Sequence, residues 1–292
     1  MQVVFHIGAH CTGQDRLIRS LLKNRDMLSR EGVAVPGPGR YRQTIDEAVR
    51  LLHGARAAPE AEDVLLETVL DSDETERLIL SNPSFICLPA KAIEHGMLYP
   101  RIGRSAWLRN AFPSAEPGFA LTLRNVATFL PALYDSLGGD ELGVTRFLGG
   151  ADPRELVWSE VVEALCEANP GAPVLVWCDE DAPILWTEIM REITGIGPLL
   201  PLEGGEDLTR DLLSEAGNAR LSAALYAEPP DTEAARRRIV EDVLEDYADD
   251  AEVVQEITLP GWTDDLVAEL TEAYDEDVER IGAMPGVTLL TP

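Results

Sequence analysis

The residues best placed by type and spacing to do chemistry lie near the start of the chain, in Gly8-Ala9-His10-Cys11-Thr12-Gly13. They follow Val3-Val4-Phe5-His6-Ile7, a short apolar run that reads as a buried strand. They precede Leu17, Ile18, Leu21, Leu22 and Leu28, whose spacing predicts a helix from about Gln14 to Arg30. Such a turn presents backbone N–H groups at the positive end of a helix dipole, a place that suits an anion. Gly8 and Gly13 keep the glycine frame of a phosphate-binding loop, but Gln14 and Asp15 stand where that frame needs Lys and then Ser or Thr. On the loop alone, a tight turn that serves only the fold is an equal reading. His10, at the loop mouth, is the nearest candidate general base, or else a histidine with a structural hydrogen bond. Arg16, Arg19, Arg40 and Arg42 are the cations within reach, each equally readable as a solvated surface residue.

Other constellations carry less. Val174-Leu175-Val176-Trp177-Cys178-Asp179-Glu180 is an apolar strand ending in an acidic pair, which in nucleotide hydrolases positions magnesium, but the loop lysine such chemistry needs is missing. Cys11, Cys87, Cys166 and Cys178 are widely spaced, form no CxxC pair and read as reduced thiols. His6, His10 and Cys11 lack a second ligand cluster, so no metal site is expected. Arg236-Arg237-Arg238 sits in an acidic helix and should pair with neighbours such as Glu233, Glu241 and Asp242.

The elements that must position these residues alternate. Further strands are expected at 77–82, 119–124 and 173–178, with helices near 43–53, 60–71, 127–137, 157–168 and 182–194. Gly37-Pro38-Gly39 reads as a loop. The expected fold is α/β, a mostly parallel central sheet with helices on both faces, occupying residues 1–200. Residues 201–292 read as an acidic, mainly helical segment packed on the same domain, with helices near 207–226, 232–248 and 263–282 and a last edge strand at 287–290. Ligands of such sheets bind at the carboxyl ends of the strands, here Gly8–Gly13, Ser81-Asn82, Arg124-Asn125 and Asp179-Glu180.

The 292 residues carry a net charge of −28. Residues 1–150 hold 16 Lys+Arg against 18 Asp+Glu, leaving 8 against 34 for residues 151–292. That field repels nucleic acid and anionic lipid. Arginines of the first half should line the loop mouth, with the acidic helices away from it. No apolar run is long enough to span a bilayer, and the opening residues lack the pattern of a signal peptide, so a cytoplasmic protein is expected.

The stretch His6-Ile7-Gly8-Ala9-His10-Cys11-Thr12-Gly13, with Leu17, Leu21-Leu22, Asn24-Arg25, Leu28 and Gly32-Val33-Ala34-Val35-Pro36, resembles the opening of bacterial sulfotransferases. That opening reads His-Ile-Gly-x-His-Lys-Thr-Gly-Thr-Thr, then a helix ending near Asn-Arg, then Gly-Val-x-x-Pro. Leu123-Arg124-Asn125, with Phe129-Leu130 and Leu133-Tyr134, is similar to the family's strand and helix that hold the donor's 3′-phosphate. The resemblance implies a P-loop-like fold and, for an active member, phosphoadenosine phosphosulfate as cofactor. Gly8, Thr12 and Gly13, with Arg16 as an added cation, would cradle its 5′-phosphate. Arg124 and Asn125 would meet the 3′-phosphate. The chain departs from the pattern at Cys11, where the family has a lysine, at Gln14 and Asp15, where it has threonines, and at Ala132, where it has a serine. Ser81-Asn82-Pro83-Ser84-Phe85 lacks the glutamate that related proteins carry there. The expectation is therefore a divergent or non-catalytic sulfotransferase-like protein binding a small anion, a nucleotide or a protein partner at the loop. The alternative is an active enzyme moving sulfate to a hydroxyl or amine.

Overall fold

The computed structural model describes residues 1–13, 15–72, 74–139, 143–198, 200–227, 229–249 and 259–292. Gln14, counted above among the departures from the phosphate-binding pattern, lies outside the described residues.

Six strands form one sheet: β1 (Gln2–His6), β2 (Val33–Ala34), β3 (Arg77–Ser81), β6 (Glu116–Leu123), β7 (Val174–Cys178) and β8 (Val287–Leu290). Their order is β2-β3-β1-β6-β7-β8, and all their pairings are parallel. The chain runs outward from β1 to β2 and β3, then crosses to β6 on the other side, so the order reverses at β1 and β6. Their carboxyl ends open the crevice at which such sheets take ligands. β1 and β6 are in register from Gln2 opposite Glu116 to His6 opposite Ala120, which sets the loop after β1 beside Arg124.

Alternation along the strands sorts the side chains into two layers. Val3, Phe5, Leu78, Leu80, Phe119, Leu121 and Val176 point to one core. That core is closed by α3 (Pro38–Leu52), α4 (Pro59–Val69), α5 (Ser105–Ala111), α6 (Val126–Ser136), α8 (Trp158–Ala168) and α13 (Asp264–Gly282). Val4, Ile79, Ala120 and Trp177 point the other way, against α1 (Arg16–Lys23), α2 (Arg25–Arg30) and α9 (Ala182–Thr194). The fold is thus α/β, a parallel sheet covered on both faces.

The acidic C-terminal part is tied in at several points. β8 extends the sheet beyond β7. Asp277 on α13 accepts from the backbone N–H groups of Trp158 (2.7 Å) and Ser159 (2.9 Å), capping the start of α8 from outside its own chain segment. α10 (Asp207–Asp211), α11 (Glu215–Ala227) and α12 (Glu233–Tyr247) follow α9, and α11 and α12 pack through Leu221, Leu225, Val240 and Val243. Arg236 pairs with Glu233 as expected, whereas Arg237 reaches Glu188 on α9.

Several expectations need correction. Gly37-Pro38-Gly39 opens α3 instead of forming a loop: Pro38 takes a first-turn position, where its missing N–H costs nothing and its φ is preset. The helix from 14 to 30 is two helices parted at Asn24, whose side chain binds Ser20 O and Glu203 O. The helix expected over 207–226 is likewise two, α10 and α11. The hairpin of β4 (Ile93–Glu94) and β5 (Met97–Leu98), α5 and the short α7 (Val144–Leu148) carried no legible periodic signal.

Candidate functional site

Backbone geometry builds the loop after β1. Ala9 N donates to Thr122 O (3.1 Å) and Thr122 N to Gly8 O (2.7 Å), carrying the β1–β6 pairing past the strand end. Gly8 takes φ +116°, a conformation that L side chains rarely adopt, so a side chain there would be strained. Cys11 (φ +57°) and Gly13 (φ +58°) both lie in the left-handed region. Among the described residues, the N–H groups of Cys11, Thr12 and Gly13 donate to no protein acceptor. Successive N–H groups in such a turn form a concavity suited to an anion.

The side chains around this backbone are spent on the protein itself. Thr12 Oγ1 donates to Ala9 O at 2.7 Å. Tyr99 places its hydroxyl 2.7 Å from both His10 N and His10 Nδ1, with the two rings stacked 5.7 Å apart. The hydroxyl accepts the backbone N–H and donates its own proton to Nδ1. Burial pushes the His10 imidazole down to about 4, so it is neutral at pH 7. Its Nε2 lies 3.5 Å from Ser84 Oγ. His6, beneath the loop, is likewise pushed down by burial to about 4; it meets Ser81 Oγ at 2.8 Å and stacks on Trp177.

The cations turn inward or sideways. Arg124, 9% exposed, donates from Nη1 to Cys11 O and from Nε to Thr128 Oγ1 (3.1 Å). Arg42 grips Asp15 with both terminal nitrogens, at 2.6 and 3.2 Å, and gives its Nε to Ser81 O. The carboxylate at the start of α1 is therefore the protein's own, and hydrogen bonding to Arg42 holds it below the usual carboxylate range. Arg40 binds Asp71 and the carbonyls of Thr68 and Leu70. Arg16 pairs with Asp211 on α10. Arg19 is exposed.

Asn125 stands beside Arg124 and caps α6, its Oδ1 accepting from Ala127 N at 2.9 Å. Its own N–H donates to Glu180 Oε1 (2.8 Å), and its Nδ2 to Thr271 Oγ1 on α13 (2.9 Å). Glu180 also meets the Tyr274 hydroxyl at 3.2 Å. The acidic segment, expected to keep clear of the loop edge, thus reaches it through Asp211, Thr271 and Tyr274.

Below the loop, His6, Thr12, Gly13, Trp177, Asp179 and Trp186 line a recess of about 10 Å³, space for one water-sized atom. Burial raises the Asp179 carboxyl to about 7, against the pull of Arg124. The Cys11 thiol is pushed up by burial and offers no positive charge. All four cysteines are free, and among the described residues no three His, Cys, Asp or Glu side chains group as metal ligands. No helix of the described residues is long and apolar enough to cross a membrane.

Gly8, His10, Thr12, Gly13, Arg16, Arg124 and Asn125 thus all gather at one end of β1 and β6. Tyr99 and Asp179 act on the same loop, and only Asp179 carried a sequence signal, as half of an acidic pair. Tyr99 follows the short β5 in a stretch without periodicity. The residues present do not fit phosphoadenosine phosphosulfate as it would be held by the sulfotransferase motif. The loop lacks its cation, Thr12 and Arg124 are engaged by loop carbonyls, and a carboxylate stands at the helix start.

No protein-family model matches the chain, and no curated protein sequence matches it. Among solved structures, the chain is similar to the crystal structure of a sulfotransferase from Alicyclobacillus acidocaldarius, at 15% identity and a TM-score of 0.42, over 81% of this chain and 99% of that one. Likeness at this level assigns no activity.

Proposed function

We propose that the chain is a sulfotransferase-like protein without transferase activity, whose β1 loop takes a small oxyanion on backbone N–H groups. The observation that carries this reading is the closure of Arg124 on the Cys11 carbonyl, beside a helix start occupied by the Asp15–Arg42 pair. Anion binding rests on the three N–H groups of Cys11, Thr12 and Gly13, which need no particular side chain. Sulfuryl transfer needs more. A positive donor must meet the oxygen that gains charge as the sulfuryl group leaves, and losing one such donor costs about 3–4 kcal/mol of barrier. Cys11, a neutral thiol, stands at that position of the motif. His10 is a weak candidate for a base, because its Nδ1 is engaged by Tyr99 and burial keeps its basicity low.

A second reading has one observation in its favour: Gly8, Thr12, Gly13, Arg124 and Asn125 adjoin at the ends of β1 and β6. In it the chain is an active sulfotransferase using phosphoadenosine phosphosulfate on a hydroxyl or amine acceptor, with Arg16 on phosphate and His10 as base. It requires Arg124 to leave Cys11 O and Arg16 to leave Asp211. A cytoplasmic setting, with no nucleic-acid or membrane partner, accompanies either reading.

Titration with sulfate and with phosphoadenosine phosphate tests the proposal, alongside a transfer assay with the sulfated donor and a panel of phenols and amines. Weak sulfate binding, with transfer no faster than background, is expected. Transfer above background that Arg124→Ala abolishes would establish the second reading.

A further inference from the structure

A cleft of about 470 Å³ is lined by residues of the β4–β5 hairpin and of the α6–α7 corner. Its size falls in the range of small-molecule sites. Its floor is apolar: Ile93, Leu133 and Phe147 are buried and Leu137 is half-buried. Outside the lining, the arm carrying the β4–β5 hairpin leaves Leu88 64% and Met97 44% exposed.

Among the described residues, the lining carries two cations against one acid, in a chain whose net charge is −28. Among the described residues, Lys91 and Arg146 are the cations around the opening, with His95 beside them and Glu94 as the acid. Glu94 is bound by two cations, Lys91 at 2.7 Å and Arg101 at 2.8 Å, so its charge is more than matched. Arg146 is exposed and, among the described residues, makes no hydrogen bond or ion pair. A larger cleft of about 700 Å³, lined by other residues, has the reverse character among the described residues, with Asp63, Glu67 and Asp71 on its walls. Charge therefore distinguishes the two openings: one repels an anion and the other attracts it.

We propose that the cleft between the β4–β5 hairpin and α6–α7 binds a small amphiphilic anion, its apolar body against Leu137 and the edges of Ile93 and Phe147 and its acid group on Arg146 at the rim. A polar anion would leave the apolar floor without a partner. A neutral apolar molecule would leave Arg146 unused. A ligand carrying both parts satisfies both. The cleft shares no lining residue with the β1 loop.

The probe is decanoate below its micellar range, titrated calorimetrically into the full chain, with decanol and acetate as halves of the same molecule. Decanoate should bind saturably with one site, decanol should bind about tenfold or more weakly, and acetate should not bind measurably. Arg146→Gln and Arg146→Glu, both at an exposed position, should weaken decanoate about tenfold or more while leaving the melting temperature unchanged. Glu67→Lys, on the acidic cleft, should leave decanoate binding as it is. No saturable decanoate binding, or equal binding by wild type and Arg146→Glu, would overturn the proposal. Equal affinity for decanol and decanoate would overturn it as well.

Discussion

Arg124 donates from its guanidinium to the backbone carbonyl of Cys11, so the arginine that follows β6 closes on the loop that follows β1. Residues 113 positions apart meet because β1 and β6 are parallel neighbours in register. The contact ties the loop after β1 to the segment that follows β6.

Removing that tie should destabilise the protein. Arg124→Ala deletes charge-assisted hydrogen bonds to Cys11 O and Thr128 Oγ1 from a nearly buried site. A loss of about 1.5–3 kcal/mol is expected from the denaturant midpoint. An arginine that merely waited for a ligand would leave the midpoint unchanged.

Tyr99→Phe should cost a similar amount. The variant leaves the buried His10 N–H without an acceptor and His10 Nδ1 without a donor. About 1–3 kcal/mol should be lost, with the phenylalanine ring still stacked on His10. Equal stability of variant and wild type would show that the hydroxyl bond is not part of the loop's support.

Stability should depend on pH in two opposing ways. His6 and His10 titrate at about 4 when folded and near 6.5 when unfolded. Their contribution is complete above pH 6.5 and is lost as pH falls toward 4. Asp179 is the reverse case, raised to about 7 from an ordinary value of 3.8. Its buried charge costs stability above pH 7, and that cost is relieved as pH falls from 7 toward 4. Asp179→Asn should therefore be more stable than wild type at pH 8, by on the order of 1–2 kcal/mol, and nearly equal to it at pH 4. Equal midpoints at pH 8 would contradict the burial of this carboxylate.

The parallel strands and the neighbourhood of Gly8–Gly13 and Arg124-Asn125 were legible because both are local patterns. An apolar run ends at glycine, another ends at Arg-Asn, and any parallel sheet puts such ends on one edge. What each side chain touches there was not legible. Arg16 meets Asp211 and Asn125 meets Thr271 through the packing of the acidic segment, whose place on the sheet no short motif encodes. Tyr99 was missed for the same reason: its value lies in where the β4–β5 hairpin sets it. The start of α3 was missed because Gly-Pro-Gly ends most elements, yet proline in a first helical turn begins one.

Asp15→Asn should turn the helix start into a better anion site. It removes the carboxylate that Arg42 grips and leaves the guanidinium next to the N-terminus of α1. Sulfate should then raise the melting temperature of the variant more than that of wild type, by a few degrees at tens of millimolar, through binding to the folded state alone. An identical sulfate response in both proteins would mean that Asp15 does not block the site.

In the proposed reading, Thr12 and Arg124 serve the fold by holding loop carbonyls and hold no phosphate. Calorimetric titration of phosphoadenosine phosphate into wild type and into the triple variant Cys11→Lys, Gln14→Thr, Asp15→Thr tests it most directly. Wild type should bind weakly or not at all, and the variant measurably more tightly, since it gains a cation and loses a repelling carboxylate. Tight binding by wild type, unchanged in the triple variant and lost in Arg124→Ala, would contradict the claim and show that Arg124 leaves Cys11 to hold the nucleotide.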